Sequence, residues 1–97
     1  MNEVKLAQEL VRFKTLYTKD LGITKYLSKK LSLIGFKCKI IKSKGTGSNP
    51  ALNLYARFGK SKPHISFLGH TDVVANLNNW KIPPFKAVVK KGYLNGR

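Results

Sequence analysis

The sequence predicts an α/β fold in which two amino-terminal helices are followed by a small mixed or antiparallel sheet. Three observations carry this. Apolar residues recur at helical spacing up to Gly35, they alternate with charged residues from Phe36 onward, and clusters of Gly, Asn, Ser and Pro separate the alternating stretches.

In residues 3 to 17, Leu6, Leu10, Phe13 and Tyr17 follow one another at steps of four, three and four, which puts them on one face of a helix. A break is expected at Tyr17-Thr-Lys-Asp-Leu-Gly, with Thr18 or Asp20 capping a second helix. Ile23, Tyr26, Leu27, Leu31 and Ile34 form the apolar stripe of that helix, and Gly35 ends it as a left-handed residue.

Phe36-Lys-Cys-Lys-Ile alternates at period two, so Phe36, Cys38 and Ile40 should face a core. The stretch from Lys42 to Pro50 reads as a loop. Its Lys-Ser-Lys-Gly-Thr-Gly-Ser lacks the Gly-Lys-Ser/Thr ending and following helix of a phosphate-binding loop. Leu52 to Phe58 is a second strand. The short connection Gly59 to Pro63 leads to a third, His64 to Gly69, for which antiparallel pairing is expected.

After Asp72 the chain turns irregular, with Asn76, Asn78, Asn79 and Pro83-Pro84 opposing regular structure. Trp80 and Phe85 are expected to pack this loop against the sheet. Phe85 to Lys90 reads as a further strand that turns at Lys91-Gly92. Residues 1–97 hold neither an internal repeat nor a domain boundary in this reading, and both faces of the sheet cannot be covered within such a length.

Composition bounds the function. A chain of 97 residues is at most one small domain, with little more than about 60% of its unfolded surface buried. No stretch approaches the roughly 20 apolar residues of a membrane span, and the opening MNEVKLAQEL carries acids where a signal peptide has an apolar core. A cytoplasmic location with no membrane partner is the expectation. Cys38, the sole cysteine, excludes an internal disulfide and a multi-cysteine zinc framework, and reads as a packing residue.

Nineteen Lys and Arg against four acids give a net charge of +15. Such a charge would suit a nucleic-acid partner, yet no reading element accompanies the scattered lysines, so nucleic acid is not the expected partner.

Chemistry is expected at Gly69-His70-Thr71-Asp72. The apolar run Ile65 to Leu68 delivers His70 to a strand's carboxyl end, where α/β sheets place ligand crevices, and period two would turn Asp72 to the same side. A neutral imidazole binds a metal, and a carboxylate that takes its other ring N–H fixes the tautomer. The triplet alone is weak evidence, because His-x-Asp arises often by chance.

The wider string is more specific. Asn53-Leu-Tyr-Ala-Arg-Phe-Gly59, Pro63-His64, Phe67-Leu-Gly-His-Thr-Asp-Val-Val74, Trp80-x-x-Pro-Pro-Phe85 and Gly92-Tyr-Leu-x-Gly-Arg97 together resemble the zinc-dependent metallopeptidase superfamily of aminoacylases and carboxypeptidases. Within it, Tyr-Ala-Arg-Phe-Gly before the histidine and Pro-Pro-Phe after the tryptophan look most like the succinyl-diaminopimelate desuccinylases.

The resemblance implies an incomplete amino-terminal part of a zinc-peptidase catalytic domain, without the lid domain through which the family forms homodimers. It assigns His70 as a ligand to one of two zinc ions, with cobalt an alternative metal, and Asp72 as the catalytic-site carboxylate that orients His70. It implies a small-molecule N-succinyl amino acid substrate. In the intact family a metal-held water attacks the amide carbonyl of N-succinyl-LL-2,6-diaminopimelate while the ions stabilise the oxyanion, and succinate leaves. The bridging aspartate, the general-base glutamate and the remaining ligands belong to later parts of the family's chain.

Counting donors leads to the same expectation without the family. A catalytic zinc wants about three protein ligands, and His64 is too far along the expected strand to join His70. The 97-residue chain alone should therefore bind zinc weakly and hydrolyse nothing. Ala75, Lys91 and Asn95 stand where the family usually has proline, aspartate and tyrosine, and Leu16 to Asp20 replaces a proline-containing segment. These departures fit a split or decaying gene as well as a working segment, so an inert remnant and a small basic nucleic-acid-binding protein are the alternative readings.

Overall fold

The computed structural model describes residues 2–17, 19–44, 50–75 and 78–97. Two helices are followed by short antiparallel strands, as the sequence predicts. The chain condenses into two compact units, one of residues 1–21 with 72–97 and the other of residues 22–71.

In the first unit, helix α1 spans Glu3–Val11. Asn2 caps it: its backbone is extended and its side-chain oxygen accepts a hydrogen bond from the Lys5 N–H at 2.9 Å. Glu3 in the first turn adds a favourable charge at the positive end of the helix dipole. The helix is shorter than its apolar spacing predicts, so Phe13 and Tyr17 lie beyond it. The cause is tertiary. The Thr15 carbonyl accepts from the Val73 N–H at 2.9 Å, and the Val73 carbonyl accepts from the Tyr17 N–H at 2.8 Å, so residues 15–17 run extended in a parallel bridge.

Thr15 is buried as a result. Tyr17, at φ +59°, is left-handed and largely exposed, outside the apolar face that the spacing assigns to it.

The same unit ends in a hairpin of β1, Val88–Lys90, and β2, Tyr93–Asn95. Lys91 and Gly92 connect them with φ of +51° and +79°, the signature of a primed turn whose twist matches the strands. The expected turn is therefore present. The strand before it begins at Val88, since Pro83 to Ala87 forms no ladder, and β2 had not been foreseen. The Asn95 side-chain amide donates to the Val88 carbonyl at 3.1 Å and so ties the two strand ends together.

Ala87 precedes the hairpin at 1% exposure, and its carbonyl accepts from the Gln8 side chain of α1 at 2.8 Å. Leaving such a carbonyl unpaired would cost about 1–3 kcal/mol, so this bond fixes helix to hairpin. Trp80 and Phe85 are each half-buried.

In the second unit, helix α2 spans Ile23–Leu33 and packs against an antiparallel pair, β3 (Lys37–Ser43) and β4 (Ala51–Arg57). Its N-cap is Gly22 at φ +89°, with no side-chain hydrogen bond, in place of the expected Asp20; Thr18 lies outside the described residues. Gly35 stops the helix at φ +99°, as predicted, and a Cβ there would press on the Phe58 ring at 3.0 Å. That ring meets Phe36 at a centroid distance of 5.3 Å, tilted by 50°, so the helix exit and the far end of β4 share one aromatic contact.

The register sets Cys38 opposite Ala56 and Ile40 opposite Leu54. Cys38, Leu54 and Ala56 are half-buried whereas Lys37, Lys39, Asn53 and Tyr55 are exposed, which identifies the face that α2 covers. Ile40 remains 41% exposed at the margin of that face. On the opposite face Ile41 and Tyr55 are exposed, at 46% and 56%. The core is accordingly thin. Ile23 and Ala87 are its buried apolar residues, and no large side chain is fully buried among the described residues.

The predicted third strand is not formed. His64 to Thr71 has no ladder partner, and every residue in it is exposed. An alternating segment becomes a strand only when a neighbour supplies the other half of its hydrogen bonds, and β4 turns its pairing toward β3. The tight connection that was to pair it antiparallel instead holds a cis Lys62–Pro63 bond.

Candidate metal-ligand site at Gly69 to Asp72

His70 and Asp72 close opposite boundaries of the two units. His70 is the penultimate residue of the second, and Asp72 opens the later segment of the first. Both side chains are exposed, and neither lacks an interaction partner. Because Ile65 to Gly69 is not laddered, the alternation that was to turn His70 and Asp72 to one side has no sheet to enforce it.

Asp72 nevertheless has a fixed neighbour. Val73, directly after it, is clamped by the two backbone bonds to Thr15 and Tyr17. Val74, one residue further, gives its carbonyl to the Arg97 guanidinium through Nε at 3.3 Å and Nη2 at 3.1 Å. Arg97 in turn donates its backbone N–H to the Pro84 carbonyl at 2.8 Å. Gly96 makes this closure sterically feasible, since a Cβ at that position would overlap the Val11 side chain of α1. The Gly96-Arg97 pair that entered the sequence reading only as a matching string is thus the structural support of the backbone after Asp72.

His64, the other imidazole, is engaged elsewhere. Its Nε2 lies 2.8 Å from Arg57 Nη2, and a guanidinium has only hydrogens to offer, so Nε2 accepts and the ring proton sits on Nδ1. Arg57 also donates to the carbonyls of Gly59 at 3.1 Å and Lys60 at 3.5 Å, wrapping the connection after β4 around its own side chain. Coordination through His64 Nε2 would require that clasp to open. Sequence reasoning excluded His64 on reach and missed Arg57, although its position two residues before a glycine turn was visible.

The donor set does not amount to a zinc site. Among the described residues no group of three or more His, Cys, Asp and Glu side chains is arranged to hold a metal ion. His70 and Asp72 supply an imidazole and a carboxylate where a catalytic zinc needs about three protein ligands. Cys38 is half-buried, with its Sγ 4.0 Å from the Phe36 carbonyl.

Among the described residues no helix is long and apolar enough to cross a membrane. No protein-family model matches the chain. Individual proteins do. The chain is 49% identical over 98 residues to the succinyl-diaminopimelate desuccinylase of Pelagibacter ubique, a match that takes in 99% of this chain and 26% of that protein. The desuccinylase of Anaplasma marginale is 39% identical over 97% of this chain and 24% of its own length. That of Ehrlichia canis is 36% identical over 100% of this chain and 26% of its own. The chain therefore spans about a quarter of the length of the curated relatives it matches. Over nearly all of its residues it is similar to a quarter-length segment of proteins named succinyl-diaminopimelate desuccinylase, the same group that the Gly-His-Thr-Asp string and its flanking segments resemble.

Proposed function

We propose that this chain is the segment of a cytoplasmic desuccinylase that carries the first metal ligand, His70, and the carboxylate that orients it, Asp72. The complete enzyme would add water across the amide of N-succinyl-LL-2,6-diaminopimelate, releasing succinate and LL-2,6-diaminopimelate for lysine synthesis. The observation that carries this reading is the 49% identity extending through 99% of the chain, with Gly69 to Asp72 inside the match.

The role of each residue follows from its chemistry. The His70 imidazole is a neutral nitrogen donor suited to zinc, or to cobalt in its place, and the Asp72 carboxylate would take the proton on its other ring nitrogen. Bound zinc supplies Lewis acidity and an acidified water in such hydrolases. With two candidate donors the described residues do not complete that centre, and a general base would have to come from elsewhere, so the 97-residue chain alone is inactive.

The test has two parts. Isothermal titration of the chain with zinc should show weak binding that His70→Ala abolishes and His64→Ala preserves. A succinate-release assay on the succinylated substrate should show no turnover by the 97-residue chain at any zinc concentration. Turnover by that chain, or zinc binding that survives His70→Ala, would refute the assignment.

A further inference from the structure

The largest unexplained feature of the second unit is the segment after Pro63. Ile65, Phe67 and Leu68 are 83%, 94% and 102% exposed. Their backbone and that of Gly69 make no hydrogen bond to any other described residue. Single exposed apolar residues are ordinary, but three within four positions form a patch that soluble chains reserve for contact.

The arrangement of the three is informative. In an extended chain Ile65 and Phe67 fall on one side and Leu68 on the other, so both faces are apolar. A strand at the rim of an open sheet shows one apolar face. A segment apolar on both is the pattern of a strand interior to a sheet covered on each side.

Charge narrows what could cover it. The unit from Gly22 to Thr71 contains nine lysines and Arg57 and not one acid. A second copy of this chain would bring the same cations to the interface, where like charges repel. The occupant must carry acids, and the length of the relatives indicates its source, since about three quarters of each lies outside the match.

We propose that Ile65–Gly69 is an open strand edge completed by a strand from the acid-bearing three quarters of a desuccinylase polypeptide that this chain does not span. The contact rests on the desuccinylase reading above, and it concerns docking, which is separable from turnover. Pairing supplies the missing backbone bonds, the apolar faces of Ile65, Phe67 and Leu68 are covered, and acids on the incoming polypeptide offset the uncompensated lysines.

The probe is the portion of the Pelagibacter ubique desuccinylase outside the match, produced as a separate polypeptide and mixed with the 97-residue chain. Amide hydrogen exchange at Ile65–Gly69 should slow by at least about tenfold on mixing, as expected when free amides enter a ladder. Phe67→Asp should weaken association by at least about 30-fold, the loss typical of a central interface anchor. Because Phe67 is almost fully exposed, that substitution leaves the unit itself folded.

A complex that forms while these amides exchange as before overturns the proposal. So does protection that appears in the chain alone as it dimerises in sedimentation, or on addition of duplex DNA, because the occupant is then a second copy or a nucleic acid. If the two pieces do not associate, the same amides are followed in one polypeptide that joins them, and unchanged exchange there is equally fatal. Protection without succinate release would retain the docking edge and remove the activity reading; release without protection would do the reverse.

Discussion

Replacing Lys91 by asparagine should stabilise the carboxyl-terminal hairpin. Lys91 sits at φ +51° in the first central position of a two-residue primed turn, with Gly92 at +79° in the second. Left-handed backbone costs an ordinary L residue roughly 1–2 kcal/mol, because Cβ crowds the following carbonyl. Asparagine tolerates this region and leads glycine in the preferred pair for such turns. Recovering about half of the penalty gives a gain of about 0.5–1 kcal/mol. Local opening of the pairs Val88 with Asn95, Val89 with Leu94 and Lys90 with Tyr93 then becomes roughly two- to fivefold rarer.

Amide exchange of residues 88–95 reads that factor directly, without requiring the whole chain to unfold in one step. The control is Lys91→Ala, which removes the charge beside Lys90 but keeps the backbone penalty, and should change exchange by less than about 1.5-fold. If alanine slows exchange as much as asparagine does, relief of lysine repulsion explains the effect and the conformational argument is refuted. If neither slows it, the strain assigned to φ +51° does not limit hairpin opening.

Gly96→Ala should destabilise the first unit by about 1–3 kcal/mol, since the new methyl meets the stiff, branched Val11 side chain; thermal unfolding by circular dichroism would show it, and Val11→Ala on the same background should restore most of the loss. Asn2→Ala removes the cap of α1 and should cost about 0.5–2 kcal/mol, visible as faster exchange at Lys5 and reduced helical ellipticity, whereas Asn2→Ser should be nearly neutral.

Both helices and one strand pair were legible because their signals are local. Ile23 to Ile34 repeats at helical spacing, Gly35 supplies a stop that only its backbone freedom explains, and the alternation around Cys38 finds its partner a few residues beyond a turn-rich loop. The end of α1 was not legible. Phe13 and Tyr17 keep the helical spacing, yet Thr15 and Tyr17 gain their backbone bonds from Val73, far along the chain, and no local pattern announces that bridge. The hairpin strand Tyr93–Asn95 is too short to show alternation, though Lys-Gly between two apolar stretches was a usable signal.

The segment His64 to Gly69 shows the converse. Its sequence has strand character, but a ladder is a two-party structure, and the second party is not among the described residues. At the site, Gly69 to Asp72 stood out in the sequence because a histidine and a carboxylate flank one threonine after an apolar run. The hold of Arg57 on His64 did not, because it depends on a turn that brings residues seven apart together.

The clasp between Arg97 and Val74 has a geometric consequence for any engineered extension. Its guanidinium holds a carbonyl two residues past Asp72, and its own N–H is moored to Pro84, so the α-carbon of residue 97 cannot wander from that neighbourhood. A tag, linker or further polypeptide joined at position 98 would be launched from beside the Asp72 backbone, already aimed, with almost none of the search that a freely waving terminus would have to make. Substituting Arg97 would unmoor that launch point while leaving every residue of the Gly-His-Thr-Asp string unchanged.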